Sequence, residues 1–174
     1  MENKLEQISN SQKDSWNKFS PGWGKWDDLT MGFLGPYGEE MIKLIEPTAN
    51  DVVLDVAAGT GEPGLSIAPM VKNGKVIITD LSEGMLKVAK EKIAAKGYDN
   101  IETASADVCQ LPFDDNTFDI VTCRFGYMFF PDMSLATSEM TRVLKPGGRF
   151  MCLEFSKIDN ELINLLYQQY SKAI

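Results

Sequence analysis

The sequence predicts an α/β fold: a doubly wound parallel sheet of about five strands in three αβα layers, preceded by a helical N-terminal segment. From residue 51 onward, short apolar runs alternate with amphipathic stretches, as in strands joined by helices. A glycine-rich turn follows the first apolar run directly. The 174 residues contain no repeat or linker, so 1–174 is taken as one domain, divided into a helical segment 1–48 and a sheet core 49–174.

The N-terminal segment contains all three tryptophans, at positions 16, 23 and 26. Residues 1–20 are polar with scattered apolar positions and predict one helix. Residues 21–35 carry Pro21 and four glycines and predict irregular structure, followed by a short helix over Pro36–Ile45. As a hypothesis, this segment covers a ligand cavity as a lid and gives it apolar walls. Packing of the aromatic rings onto the sheet explains the same pattern equally well.

The elements of the core follow in regular order. We predict strands at 51–56, 75–80, 101–104, 118–123 and 149–155, with helices near 63–72, from Ser82 to Gly97, at 133–145 and at about 159–172. Gly97 is placed to end its helix, and Pro146-Gly147-Gly148 is expected to stop the helix before it. In such a sheet, ligands bind at the carboxyl ends of the strands.

The most informative segment is VVLDVAAGTG at 52–61. Four apolar residues around Asp55 predict a buried strand, and the turn with Gly59 and Gly61 lets backbone N–H groups approach a ligand closely. Asp80 ends the next strand about twenty residues beyond the glycines, where a carboxylate can accept both hydroxyls of a ribose. We therefore predict a nucleoside-containing cofactor. A tight turn without a ligand is the alternative.

The negative charges around the turn help to distinguish between possible cofactors. Gly59, Gly61 and Gly64 also fit the dinucleotide pattern G-x-G-x-x-G, which is weak when it stands alone. Asp55 and Glu62 would place negative charge against a pyrophosphate, which disfavours NAD. A ligand without phosphate that carries an ammonium and a sulfonium is compatible with both carboxylates.

Composition excludes several other classes of function. The formal net charge is −8 and the basic residues are dispersed, which argues against a nucleic-acid substrate. The chain has no histidine, the commonest metal ligand and general base, and we predict no metal site. Cys109, Cys123 and Cys152 lack C-x-x-C spacing and suit reduced thiols in the cytoplasm. No apolar run is long enough to cross a bilayer, so we expect no transmembrane segment.

With these motifs in view, the chain resembles the class I S-adenosylmethionine-dependent methyltransferases over roughly residues 45–156. The motifs that carry the resemblance are LDVAAGTG at 54–61, Asp80 with Ser82 and Met85, AD at 106–107 followed by LPF at 111–113 and FD at 118–119, and LKPGGR at 144–149. The resemblance implies a Rossmann-like enzyme that transfers a methyl group from S-adenosylmethionine to a small acceptor, with S-adenosylhomocysteine as product.

Within that class, the segment from Leu144 to Lys157 is similar to the ubiquinone/menaquinone C-methyltransferases. Those enzymes carry an Arg-Asn pair two residues beyond the Phe-Gly that follows the fourth strand, and the pair helps catalysis on a quinol ring. Here Phe125-Gly126 is followed by Tyr127-Met128-Phe129-Phe130. The resemblance therefore implies an apolar or aromatic acceptor without specifying a quinol.

The resemblance also implies a cofactor site built from the glycine-rich turn and the ends of the neighbouring strands. Its residues are Asp55, Ala57, Gly59, Gly61, Asp80, Leu81, Met85, Asp107, Val108, Arg124 and Phe125. Within this set, Asp80 holds the ribose hydroxyls and Asp107 the adenine amino group, while Arg124 borders the site where the methyl group leaves. Structural roles stay open as alternatives: helix packing for Met85, a turn cap for Asp107 and an ion pair for Arg124.

The acceptor side is less defined. Candidates for the acceptor pocket are Trp23, Tyr37, Tyr127 and Met128. Methyl transfer from a sulfonium depends mainly on proximity and desolvation, so no catalytic residue is assigned. If the acceptor must lose a proton, the candidates for a general base are Tyr37, Tyr127, Asp132 and Glu154. Two other functions stay open: a truncated S-adenosylmethionine-binding module without turnover and, less favoured, an NAD-linked oxidoreductase.

The C-terminal region predicts self-association. Members of the resembling class continue through two more strands, which this chain lacks, so the fifth strand is expected to form an unpaired sheet edge. The helix expected after it would carry an apolar stripe at 158, 162, 165 and 166. We expect either a homodimer through this edge and helix, or a fragment or shortened form of a longer protein.

Overall fold

A parallel five-stranded sheet, in the order β3-β2-β1-β4-β5, forms the centre of the computed structural model, which describes residues 4–155. The strands are β1 (Val52–Val56), β2 (Lys75–Asp80), β3 (Ile101–Ser105), β4 (Phe118–Arg124) and β5 (Leu144–Leu153). The helices are α1 (Lys4–Lys25), α2 (Asp27–Ile45), α3 (Gly64–Ile67), α4 (Glu83–Lys96) and α5 (Met133–Val143). These elements confirm the predicted α/β fold with a helical N-terminal segment.

The chain reverses its direction across the sheet between β1 and β4, which are parallel neighbours. Connections on opposite sides of this point leave a crevice at the carboxyl ends of the two strands, where doubly wound proteins bind ligands. The crevice is therefore at Val56 and Arg124, next to the glycine-rich turn.

Alternate residues of the central strands pack into two apolar layers, one on each face of the sheet. Val53 belongs to the layer beneath α2, α3 and α4, whereas Leu54 and Val56 belong to the layer beneath α5. Asp55 follows the alternation and faces the same side as Val53. The two layers confirm the three-layer arrangement.

The prediction of irregular structure over 21–35 is wrong, because α1 continues to Lys25 and α2 begins at Asp27. One glycine here supports helix packing: a Cβ on Gly24 would lie 3.2 Å from a methyl group of Val88. On the α4 side, a Cβ on Gly84 would lie 2.4 Å from the Ser20 hydroxyl oxygen. Close packing of α1 on α4 thus outweighs the low helix propensity of glycine.

Two other boundaries differ from the prediction. The helix expected near 63–72 is the single turn α3. The helix α5 ends at Val143, so Pro146-Gly147-Gly148 does not end it but lies within β5. Phe118 pairs with Leu144 and Ile120 with Arg149, so the three residues form part of a bulge opposite β4.

Other predicted features agree with the structure or fall outside it. Ser82 caps α4 by accepting a hydrogen bond from the Met85 N–H, and Gly97 ends the helix with a φ of 67°. The strand β5 borders the sheet of the described residues. The predicted helix at 159–172 and its apolar stripe lie outside those residues. Within residues 4–155, no helix is both long and apolar enough to cross a membrane.

The packing of α5 gives a stability test with a matched control. Met140 is fully buried in the layer beneath α5, whereas Met133 on the same helix is 45% exposed. We expect Met140→Ala to lower the free energy of unfolding by about 2–5 kcal/mol, because it leaves a cavity, and Met133→Ala to lower it by less than about 1 kcal/mol. Denaturant unfolding measures both. Equal losses would contradict the packing described here.

Candidate functional site

A cavity of about 150 Å³ lies at the carboxyl ends of β1, β2 and β4, beneath α1. Ten of the predicted site residues line it: Trp23, Ala57, Gly59, Asp80, Leu81, Met85, Asp107, Val108, Arg124 and Phe125. Five others do not: Tyr37, Asp55, Gly61, Tyr127 and Met128. The structure thus brings together segments that are far apart in the sequence, from α1 to the end of β4.

Asp80 ties the glycine-rich turn to the start of α4. One carboxylate oxygen accepts the Gly59 N–H at 2.9 Å, and the other accepts the Ser82 N–H at 2.8 Å. Burial raises the pKa of Asp80 above its ordinary value, although these backbone N–H groups oppose the rise. Each carboxylate oxygen keeps a further lone pair, so Asp80 can hold the turn and still accept hydrogen bonds from a ligand.

The prediction that Asp55 contacts a cofactor requires correction. Its carboxylate is fully buried beneath the turn, where it accepts the Gly64 N–H and the Thr122 hydroxyl, both at 2.8 Å. Burial is the largest influence and raises the pKa of Asp55 to about 7. Asp55 therefore supports the turn from the sheet side and does not line the cavity.

Gly61 likewise has a structural role. Its φ is +108°, and a Cβ there would lie 2.7 Å from the side chain of Leu65. A side chain at this position would therefore force the turn away from α3.

The backbone at the crevice has an unusual conformation at two residues with side chains. Ala57 and Phe125 follow β1 and β4 and have positive φ values of 53° and 58°. This left-handed conformation costs a residue with a Cβ roughly 1–2 kcal/mol. Gly126 fits between them, since a Cβ on it would lie 2.6 Å from the Cβ of Ala57. Strain of this kind occurs preferentially at ligand-binding sites, and both strained residues line the cavity.

Asp107 makes the turn-capping contact that the sequence offered as one alternative. One carboxylate oxygen caps a turn by accepting the Cys109 N–H at 2.8 Å. The other accepts the hydroxyl of Ser9 at 3.1 Å. Asp107 also lines the cavity, so it fixes the local chain and links it to α1.

The sequence predicted a lid from this segment and named Trp23, but the other residues that α1 contributes to the cavity were not predicted. Ser9, Gln12, Trp16 and Trp23 line the cavity, and Asn17 accepts hydrogen bonds from the Ser82 hydroxyl and the Gly84 N–H at 2.8 and 2.9 Å. The spacing of the four lining residues places them on one face of a helix. That periodicity was the available signal, but it extends past residue 20, where the helix was expected to end.

Aromatic side chains form one wall of the cavity. Trp16 meets Phe129 edge to face, with ring centroids 5.2 Å apart, and Phe125 and Phe130 also line the space. Tyr127 instead points its hydroxyl at Thr137, 2.9 Å away. The predicted acceptor residues Tyr127 and Met128 are thus replaced in the wall by Phe129 and Phe130.

Tyr37 packs behind the wall rather than in it. Its ring lies 6.1 Å from that of Phe125, centroid to centroid. Among the described residues, no three His, Cys, Asp or Glu side chains are grouped so that they could hold a metal ion.

Comparison with known proteins identifies the family. The family model described as the ubiE/COQ5 methyltransferase family matches residues 30–174. The chain belongs to this family. The predicted fold class and the predicted cofactor, S-adenosylmethionine, are both confirmed by this membership.

Two curated relatives of the chain are named ubiquinone/menaquinone biosynthesis C-methyltransferase UbiE. The protein from Teredinibacter turnerae is 44% identical over 132 residues, which cover 75% of this chain and 53% of the relative. The protein from Francisella tularensis subsp. novicida is 46% identical over 123 residues, which cover 70% and 49%. The chain thus spans about half the length of the curated relatives it matches.

Solved structures agree with the family assignment. A putative methyltransferase from Bacillus halodurans is similar with a TM-score of 0.66 and 36% identity, over 78% of this chain and 58% of that one. A SAM-dependent methyltransferase from Aquifex aeolicus gives a TM-score of 0.59 and 30% identity, over 63% and 58%.

The buried carboxyl of Asp55 makes stability depend on pH. Its folded-state pKa of about 7 lies above the unfolded value, so the folded state holds this proton more tightly. The resulting stabilisation is present below about pH 4 and is lost as the pH rises through about 7. We expect the wild-type chain to lose stability relative to Asp55→Asn between these limits. Denaturant unfolding of both proteins at several pH values measures this, and parallel pH profiles would contradict it.

Proposed function

We propose that this chain is an S-adenosylmethionine-dependent methyltransferase that acts on a small, apolar or aromatic acceptor and releases S-adenosylhomocysteine. The observation that carries the proposal is that polar groups and aromatic rings line one cavity. The polar groups are Asp80, Asp107 and the turn at Gly59, and the rings include those of Trp16 and Phe129.

We assign the cofactor-binding roles as follows. The main chain of Ala57 and Gly59 faces the amino-acid part, and Asp80 accepts the ribose hydroxyls through its remaining lone pairs. Leu81 and Met85 contact the adenine ring, while Asp107 and Val108 lie at its amino edge. The support is that all seven of these residues line the cavity.

The acceptor is proposed from the character of the wall. Trp16, Trp23, Phe125, Phe129 and Phe130 present apolar rings, which favour a flat apolar molecule. The relatives' printed names refer to ubiquinone and menaquinone biosynthesis, and a quinone-like ring is consistent with this wall.

Bound S-adenosylmethionine supplies an activated methyl group, and little further chemistry is required of the protein. The acceptor atom forms a bond to the methyl carbon while the carbon–sulfur bond breaks and its electron pair stays on sulfur. The chain's own contribution is to hold the two molecules in line and to exclude water with the aromatic wall. We propose 1–48 as the lid and 49–174 as the cofactor-binding core, supported by the contacts of Ser9 and Asn17 with that core.

Two wider features belong to the same proposal. We propose a cytoplasmic location, supported by the free thiols of Cys109, Cys123 and Cys152 in the described chain.

We also propose a homodimer through the β5 border, supported by the position of that strand and by Phe150, which is 41% exposed. Sedimentation velocity of the chain over a range of concentrations tests the dimer, and a strictly monomeric chain would contradict it.

Calorimetry and a turnover assay test the proposed function. We expect S-adenosylmethionine and S-adenosylhomocysteine to bind and NAD not to bind, because Asp55 and Glu62 occupy the N–H groups of Gly64 and Ser66 at the turn. We also expect methyl transfer to one or more aromatic acceptors in a panel that includes quinols. Binding of S-adenosylhomocysteine without any turnover would favour the non-catalytic binding module, and NAD binding in its place would favour the oxidoreductase.

Replacement of Asp80 tests the cofactor site itself. We expect Asp80→Asn to weaken the binding of S-adenosylhomocysteine by about 10- to 100-fold, because hydrogen bonds from the ribose to a charged acceptor are lost. Its control is Asp99→Asn, an exposed position away from the cavity. Thermal unfolding of both variants separates this effect from loosening of the turn. An unchanged dissociation constant in a folded Asp80→Asn protein would refute the assignment.

A further inference from the structure

Arg124 ends β4 and lines the cavity with a partly buried guanidinium. Its Nε donates a hydrogen bond to the carbonyl oxygen of Glu62 at 3.3 Å, and its Nη1 donates to the carbonyl oxygen of Leu34 at 3.1 Å. Both acceptors are neutral main-chain groups. Burial lowers the pKa of Arg124, which means that keeping the guanidinium charged at this position costs free energy.

No carboxylate in residues 4–155 forms an ion pair with this guanidinium. The ion pairs of that part of the chain involve other cations, namely Lys13, Lys43, Lys75, Lys92, Arg142, Lys145 and Arg149. Asp27, Asp55 and Glu62 act on Arg124 electrostatically, but each of these carboxylates accepts hydrogen bonds from other groups. A partly buried cation at a cavity wall without a contacting anion is suited to bind an anionic group of a ligand.

We propose that Arg124 binds the carboxylate of the amino-acid half of S-adenosylmethionine, an inference that rests on the proposed function. A guanidinium presents five N–H donors in a planar fork that matches a carboxylate, and the two hydrogen bonds described above leave donors for a ligand. Its contact with the Glu62 carbonyl places the fork beside the glycine-rich turn, where the amino-acid half is expected.

The carboxylate of Glu62 lies next to Arg124 and suits the ammonium of the same amino-acid half. Glu62 lines the cavity, and one of its carboxylate oxygens accepts from both the N–H and the hydroxyl of Ser66. A cation and an anion at adjacent positions of one wall complement a zwitterion, in which an ammonium and a carboxylate share one carbon. Arg124 would therefore make the cavity selective for the complete cofactor over an adenosyl thioether that lacks the carboxylate.

A bracing role for Arg124 predicts a different result. Through Leu34 and Glu62, the side chain also connects α2 to the glycine-rich turn. If that were its only role, removing the guanidinium would weaken every adenosyl ligand to the same extent, whether or not the ligand carries a carboxylate.

Two ligands separate these roles: S-adenosylhomocysteine and its decarboxylated analogue, which keeps the adenosine, the thioether and the ammonium. We expect the wild-type chain to prefer the carboxylate-bearing ligand by about 10- to 100-fold in calorimetry. Arg124→Gln should lose most of this preference by weakening S-adenosylhomocysteine alone, and Arg124→Lys should restore part of it. The control is Arg142→Gln, because Arg142 pairs with Glu139 and Asp115 and does not line the cavity.

Three results other than the expected one would overturn the inference, and each can be told apart from the others. Equal weakening of both ligands in Arg124→Gln would show a bracing residue, with the proposed function intact. Unchanged binding of both ligands in a variant that unfolds at the wild-type temperature would show that Arg124 does not contact the cofactor. If neither ligand bound the wild-type chain, the proposed function would fail and the inference with it.

Discussion

Two buried carboxylates at the ends of adjacent strands determine the shape of the crevice. Asp55 holds Gly64 and Thr122 from the sheet side, and Asp80 holds the backbone of Gly59 and Ser82 from the cavity side. Hydrogen bonds to a buried carboxyl group hold the backbone firmly, because breaking one leaves buried polar groups without partners. The turn between the two aspartates is therefore ordered by the chain itself, before any ligand adds its contacts.

The N-terminal helix α1 supplies part of the cavity wall that the sheet does not provide. The helix α1 contributes Trp16 and Trp23 to the cavity, and it is fastened to the core by Ser9 on Asp107 and by Asn17 at the start of α4. The carboxylate of Asp107 thus joins α1 to the end of the sheet that we propose binds the adenine. The same contact holds Trp16 and Trp23 of α1 beside the proposed cofactor site.

The sequence predicted β1, β2 and β4 closely because each is a short, mainly apolar run with a defined end. It predicted α4 because Ser82 and Gly97 are strong caps. It failed where long-range packing decides the structure: Gly24 accommodates Val88 instead of breaking a helix. Asp55 was assigned to the ligand because its proximity to the glycines does not indicate which face of β1 it occupies. Ser9 and Asn17 carry no motif, and their contacts lie 65 or more residues away.

The central claim is that the turn, the ends of β2 and β4 and the lid form a single cofactor site. Hydrogen exchange of the backbone amides, with and without S-adenosylhomocysteine, tests it most directly. The account predicts that the ligand slows exchange at residues 57–62, 80–85, 107–108 and 124–125 and along the cavity side of α1, with little change in α5. Unchanged exchange at the turn and at α1 under saturating ligand, or protection confined to another face of the sheet, would contradict it.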